Sequence, residues 1–144
     1  MTTTLSIDPL KNHPTVIQAL YQAHVKLDGL KLIERKLHHL VVLRASQING
    51  CAFCVKMHIS EAKADGETQE RLDRLIVWRH CDDYSAQEKA AFAWTEALTV
   101  VNTQANLEPL RQELVKYFSE EQISALTVTI GLINLWNRLQ ISQH

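Results

Sequence analysis

The chain has 144 residues, 46% of them hydrophobic, with 15 basic and 16 acidic side chains and a formal net charge of −1. A single domain of this length buries about two-thirds of its unfolded surface, and a near-neutral chain without a basic patch speaks against a nucleic-acid partner. Only 4 glycines and 3 prolines are present, too few turn-formers for an all-β sandwich or barrel.

No apolar run reaches the roughly 18 residues of a membrane span. The start Met1-Thr2-Thr3-Thr4-Leu5 lacks the charged-then-apolar pattern of a signal peptide. The expectation is therefore one all-α domain over residues 1–144, in a reducing cytoplasm.

Seven helices are predicted. The first runs from Pro14 to Leu27, since proline suits a first helical turn and Asp28-Gly29 supplies a stop. The second runs from about Leu32 to Ile48, with Ile33, Leu37, Leu40, Val41 and Ile48 at helical spacing and Asn49-Gly50 as the break. The third spans Cys51 to Gly66, and the fourth Thr68 to Trp78. The fifth starts at Ser85, where Glu88 completes a capping box, and ends near Val100. The sixth lies between Asn106 and Phe118. The seventh starts at Ser119, with Gln122 completing a second capping box, and runs to about Gln140. It is apolar around most of its circumference, so it is either the central core helix or covered in part by another subunit.

Three cysteines are too few and too odd for a disulfide framework. Two form Cys51-Ala52-Phe53-Cys54, followed by His58, so that Cys51, Cys54 and His58 share one face at i, i+3 and i+7. Asn49-Gly50 puts the cysteines at a helix start, where unpaired N–H groups and the positive end of the helix dipole favour a thiolate. His58, one turn after Cys54, is a candidate to take the thiol proton and return it to a leaving group. The residues thus point to a dithiol that oxidises through a sulfenic acid to a disulfide and is reset by exchange. A half-built zinc site completed by His58 and either His38 or His39, or two inert buried thiols, are the competing readings.

The stretch Leu43-Arg44-Ala45-Ser46-Gln47-Ile48-Asn49-Gly50-Cys51-Ala52-Phe53-Cys54-Val55-Lys56-Met57-His58 closely resembles the alkylhydroperoxidase D-like branch of the carboxymuconolactone decarboxylase family. Ala64-Asp65-Gly66-Glu67-Thr68, Leu75-Ile76-Val77-Trp78-Arg79, Ala90 to Thr99, and Ile133-Asn134-Leu135-Trp136-Asn137-Arg138-Leu139 extend the resemblance over roughly residues 10 to 140. It implies an all-helical fold of about seven helices assembled as trimers or hexamers, a redox-active disulfide, and peroxidase activity without a cofactor or metal. It also implies Cys54 as the peroxidatic cysteine and Cys51 as the resolving, more accessible one. The expected partners are a hydroperoxide substrate and a dithiol reductant, lipoyl- or thioredoxin-like.

Two departures stand out. The family's glutamate twelve residues before the first cysteine is replaced by His39, a candidate relay in its place, which also completes a Cys₂His₂ set with Cys51, Cys54 and His58. Phe53 stands where the best-known member has a histidine, and reads as packing or substrate-contact surface. Cys81 reads as a spare thiol, His24 and His38 as surface or interface side chains, Glu34 and Glu61 as solvent-facing charge, and Trp78, Trp94 and Trp136 as core. A non-enzymatic redox sensor or zinc-binding oligomer is the alternative. A lactone decarboxylase shares the fold but does not rely on a cysteine pair.

Overall fold

The computed structural model describes residues 4–143. Met1-Thr2-Thr3, the start of the segment expected not to be a signal peptide, and His144 lie outside the described residues. Eight α-helices are seen among them: α1 (Pro9–Asn12), α2 (Pro14–Gly29), α3 (Arg35–Asn49), α4 (Ala52–Ala64), α5 (Gln69–Arg74), α6 (Ala86–Thr99), α7 (Glu108–Leu114) and α8 (Glu120–Ile141). A 3₁₀ segment, Leu75–His80, follows α5. No strand occurs among the described residues, and no described helix is long and apolar enough to cross a membrane.

Local signals account for most boundaries. Both capping boxes form: Ser85 caps α6 with Glu88, and Ser119 caps α8 with Gln122. The one-turn α1, absent from the predicted set, is nucleated by Asp8, whose side chain accepts the Leu10 amide. The helix predicted from Thr68 to Trp78 splits instead. Leu75 and Trp78 are both buried, and a 3₁₀ segment stacks residues three apart on one side, leaving Ile76 and Val77 outside. The sixth predicted helix shortens to α7, because Asn106 turns back on the Glu108 amide and Pro109 fixes the first turn.

The central helix is α3, packed between α4, α6 and α8. Its Leu40, Val41, Leu43, Ala45 and Ser46 are inaccessible to solvent. Around it Phe92 of α6, with Trp78 at 5.6 Å and Tyr84 at 5.1 Å in edge-to-face contact, and Leu126 and Ile130 of α8 complete the core. The last helix therefore is not the all-round buried one. Val128 is half-exposed, and Leu132, Leu135, Trp136 and Leu139 are only partly covered by the rest of the chain. Helix α2 buries no residue and leans on α8 as an outer wall.

Candidate active site

The cysteine pair is delivered by a helix-to-helix turn. Helix α3 ends in a Schellman motif: Gly50, in the left-handed region at φ 69°, gives its amide to Gln47, and Cys51 gives its amide to Ser46. A side chain at position 50 would strain that turn. Cys51 is then the N-cap of α4, and its Sγ accepts the Cys54 amide at 3.3 Å. The two cysteines are joined by a disulfide, with Cα atoms 5.3 Å apart.

A buried polar seam pins this turn to α8. Asn49 donates through Nδ2 to Asn134 and Asn137, both at 2.9 Å. Asn137 donates to Ser46, and Asn134 donates to Thr99. Asn134 and Asn137 carry no chemistry visible in the sequence. Their signals in the sequence are polarity within an apolar stretch of the helix and their place in the family-matching run Ile133–Leu139.

Cys51 and Cys54 are equally buried, each 2% exposed, which corrects the expectation that Cys51 is the more accessible. Its sulfur is folded back onto the first-turn amide of α4. The two residues nevertheless border different depressions. Cys54 lines a cavity of about 820 Å³ enclosed by α2, α3, α4 and α8. Cys51 lines a shallow groove with Ala52, Val55, Lys56 and Ile59. The cavity size is that of a small-molecule site.

His58 lines the cavity with Cys54, one turn along α4, and is 7% exposed. Its Nδ1–H donates to the Glu61 carboxylate at 3.2 Å, since a carboxylate can only accept. Its Nε2 is buried and has no hydrogen-bond partner among the described residues. Burial, the largest influence, pushes the His58 pKa below the usual histidine value, and Glu61 opposes it.

The cavity walls contain residues assigned above to the surface or to the core. His24 of α2 and His38 of α3 both line it, their rings 6.2 Å apart. His38 is pushed down to about 4, by burial first and then by His39 and His24. Glu34 and Glu61 are exposed, as expected of solvent-facing charge, and stand at the edge of the same cavity. Trp136 also faces the cavity and is only partly buried, unlike Trp78 and Trp94. Phe53 and Met57 border it, and Phe53 is 53% exposed.

His39 points elsewhere. It is 4% exposed, and its Nε2–H donates to Asp65 at 2.5 Å, where Arg35 also donates at 2.5 Å. His39 is not among the cavity-lining residues, and its Nδ1 is buried without a partner among the described residues. The Cys₂His₂ set is not assembled. Its cysteines are bonded to each other, and among the described residues no group of three or more His, Cys, Asp or Glu side chains is placed to hold a metal ion. Cys81 is a free thiol packed near the carbonyls of Val77 and Trp78, away from the pair.

Comparison with known proteins agrees with the fold. Residues 15–97 match the carboxymuconolactone decarboxylase family. The uncharacterized protein YdfG of Bacillus subtilis is 40% identical over 110 residues, covering 76% of this chain and 75% of its own. ATU0492 of Agrobacterium tumefaciens, a protein of unknown function assigned to AhpD-type antioxidant defence, is 34% identical with a TM-score of 0.90, covering 97% of this chain and 95% of its own. The debrominase Bmp8 superimposes with a TM-score of 0.82 at 20% identity, over 93% of this chain and 72% of its own, a likeness of fold.

Proposed function

The chain belongs to the carboxymuconolactone decarboxylase family, with an AhpD-like all-α fold, and from that premise we propose that it is a thiol-dependent peroxidase. The observation that carries the proposal is the shared cavity. The sulfur-bearing Cys54 and a buried, carboxylate-held His58 with a vacant Nε2 border one mostly apolar space of substrate size.

In the reduced enzyme His58 takes the Cys54 proton. The Cys54 thiolate attacks one peroxide oxygen, the O–O bond breaks, and the alkoxide leaves with the proton from the imidazolium. An alcohol departs and Cys54 becomes a sulfenic acid. Cys51, whose N-cap position favours its thiolate, attacks the sulfenic sulfur. The S–O bond breaks, the hydroxide takes up the proton that Cys51 gave up and leaves as water, and the disulfide forms. An external dithiol then restores both thiols by two exchange steps and is itself oxidised to a disulfide. The groove at Cys51 gives that reductant an approach separate from the substrate cavity.

The apolar walls suit an organic hydroperoxide better than hydrogen peroxide alone. Assembly with further copies of the chain belongs to the same proposal, and the incompletely covered Val128, Leu132 and Leu139 of α8 support it. The test is peroxide consumption driven by dihydrolipoamide or dithiothreitol. Wild type should turn over and Cys54→Ser should fall to background. Equal rates in the two proteins would refute the peroxidase.

A further inference from the structure

We propose that Glu61 is the positioning residue of the thiol's base: its carboxylate fixes the ring and tautomer of His58, so that Nε2 is the nitrogen facing the Cys54 proton. The inference deepens the peroxidase reading and rests on His58 serving Cys54.

A His–Glu pair three residues apart on a helix surface is usually worth little. This one differs at its histidine end. The ring is buried, and its position is fixed by one hydrogen bond, to Glu61. A neutral imidazole has a single N–H. With the Glu61 carboxylate accepting at Nδ1, that hydrogen is committed, and the lone pair is left on Nε2. The Nε2 atom is buried with no donor among the described residues. A buried acceptor left without a donor is unfavourable. The thiol hydrogen of reduced Cys54, one turn away on the same helix and on the same cavity, is the donor the site offers.

Glu61 also sets how readily Nε2 takes a proton. The groups acting on His58 are Glu61 from α4, His39 from α3 and His24 from α2. Burial and the two histidines disfavour the imidazolium, and Glu61 alone among them favours it. The proton moves from Cys54 Sγ to His58 Nε2, leaving thiolate and imidazolium, and Glu61 stabilises the positive charge without itself being protonated. Glu61 touches neither sulfur nor substrate in this scheme, and acts only through His58.

The experiment uses the full-length, reduced protein in a Cys51→Ser background, so that Cys54 is read without its partner. Two readouts are taken across pH: the ¹⁵N spectrum of His58, assigned against His58→Gln, and the rate of Cys54 alkylation by iodoacetamide. With Glu61 in place, the spectrum should show hydrogen on Nδ1 above the His58 transition. Glu61→Ala should mix the tautomers, lower the His58 midpoint, and slow alkylation at pH 7 by about tenfold, one pKa unit of lost basicity. Glu61→Gln, which keeps an acceptor and loses the charge, should fall between. Because Glu61 is half-exposed, both variants should keep the wild-type melting temperature. Unchanged tautomer, midpoint and alkylation rate in Glu61→Ala would overturn the proposal. Both readouts are independent of peroxide, so a Glu61-dependent thiol in a protein that consumes no peroxide would refute the peroxidase and leave the role of Glu61 standing.

Discussion

Two histidines on neighbouring helices carry the same device in different surroundings. His58 on α4 gives one N–H to Glu61, and His39 on α3 gives one to Asp65. Each leaves its second nitrogen buried and unpartnered among the described residues. Only His58 borders the cavity that Cys54 also lines. Asp65 is moreover shared with Arg35, which fixes it as part of an ion-pair cluster closing the end of α4. Under the proposed mechanism only the imidazole on the cavity shared with Cys54 serves as the base, so His58 and His39 should differ.

The comparison is most exposed to activity. His58→Ala should lower dithiol-driven peroxide consumption by about 100-fold, the lower range for loss of a general acid–base. His39→Ala should stay within about threefold of wild type. If both fall equally far, the two sites are not different and the relay runs through both.

Stability should show the reverse order. His39→Ala empties a buried position and removes a hydrogen bond to Asp65, and should cost about 2 kcal/mol in urea unfolding. Glu61→Ala, on the open side of its pair, should cost less than about 0.5 kcal/mol. A larger loss for Glu61→Ala would make it a structural residue first.

Acid should separate the two regions by pH window. His38 and His58 on the cavity side have folded pKa values below the unfolded value, so the unfolded state takes up protons first as pH falls. Stability is full above about pH 6.5 and declines as pH drops toward the His38 value of about 4. His38→Asn should flatten that decline. On the other side Asp65 is held below the usual carboxylate range, chiefly by His39 and then by Arg35. Its contribution persists through that window and is lost only at lower pH. An unfolding series from pH 7 to 3 on wild type and His38→Asn checks both signs.

The cysteine turn was legible in the sequence because its causes are local. Asn49-Gly50 demands a left-handed residue, and the next residue must then start a helix. The capping boxes at Ser85 and Ser119 were legible for the same reason. The cavity wall was not, since His24, His38 and Glu61 come together only when α2 folds over α3 and α4. Nor was the burial of α3 over α8. Both helices are apolar, and which one lies at the centre depends on how α4 and α6 pack. The hydrogen bonds from Asn49 to Asn134 and Asn137 span more than eighty residues, beyond the reach of any spacing rule.

The assignment of Cys54 as the attacking thiol has a direct measurement. Reduced Cys51→Ser and Cys54→Ser are treated with an organic hydroperoxide in the presence of dimedone, and the sulfenic-acid adduct is located by mass spectrometry. If Cys54 attacks, Cys51→Ser is labelled rapidly at Cys54, and Cys54→Ser is labelled slowly or not at all. Rapid labelling of Cys51 in Cys54→Ser, with Cys54 unlabelled in Cys51→Ser, would contradict it.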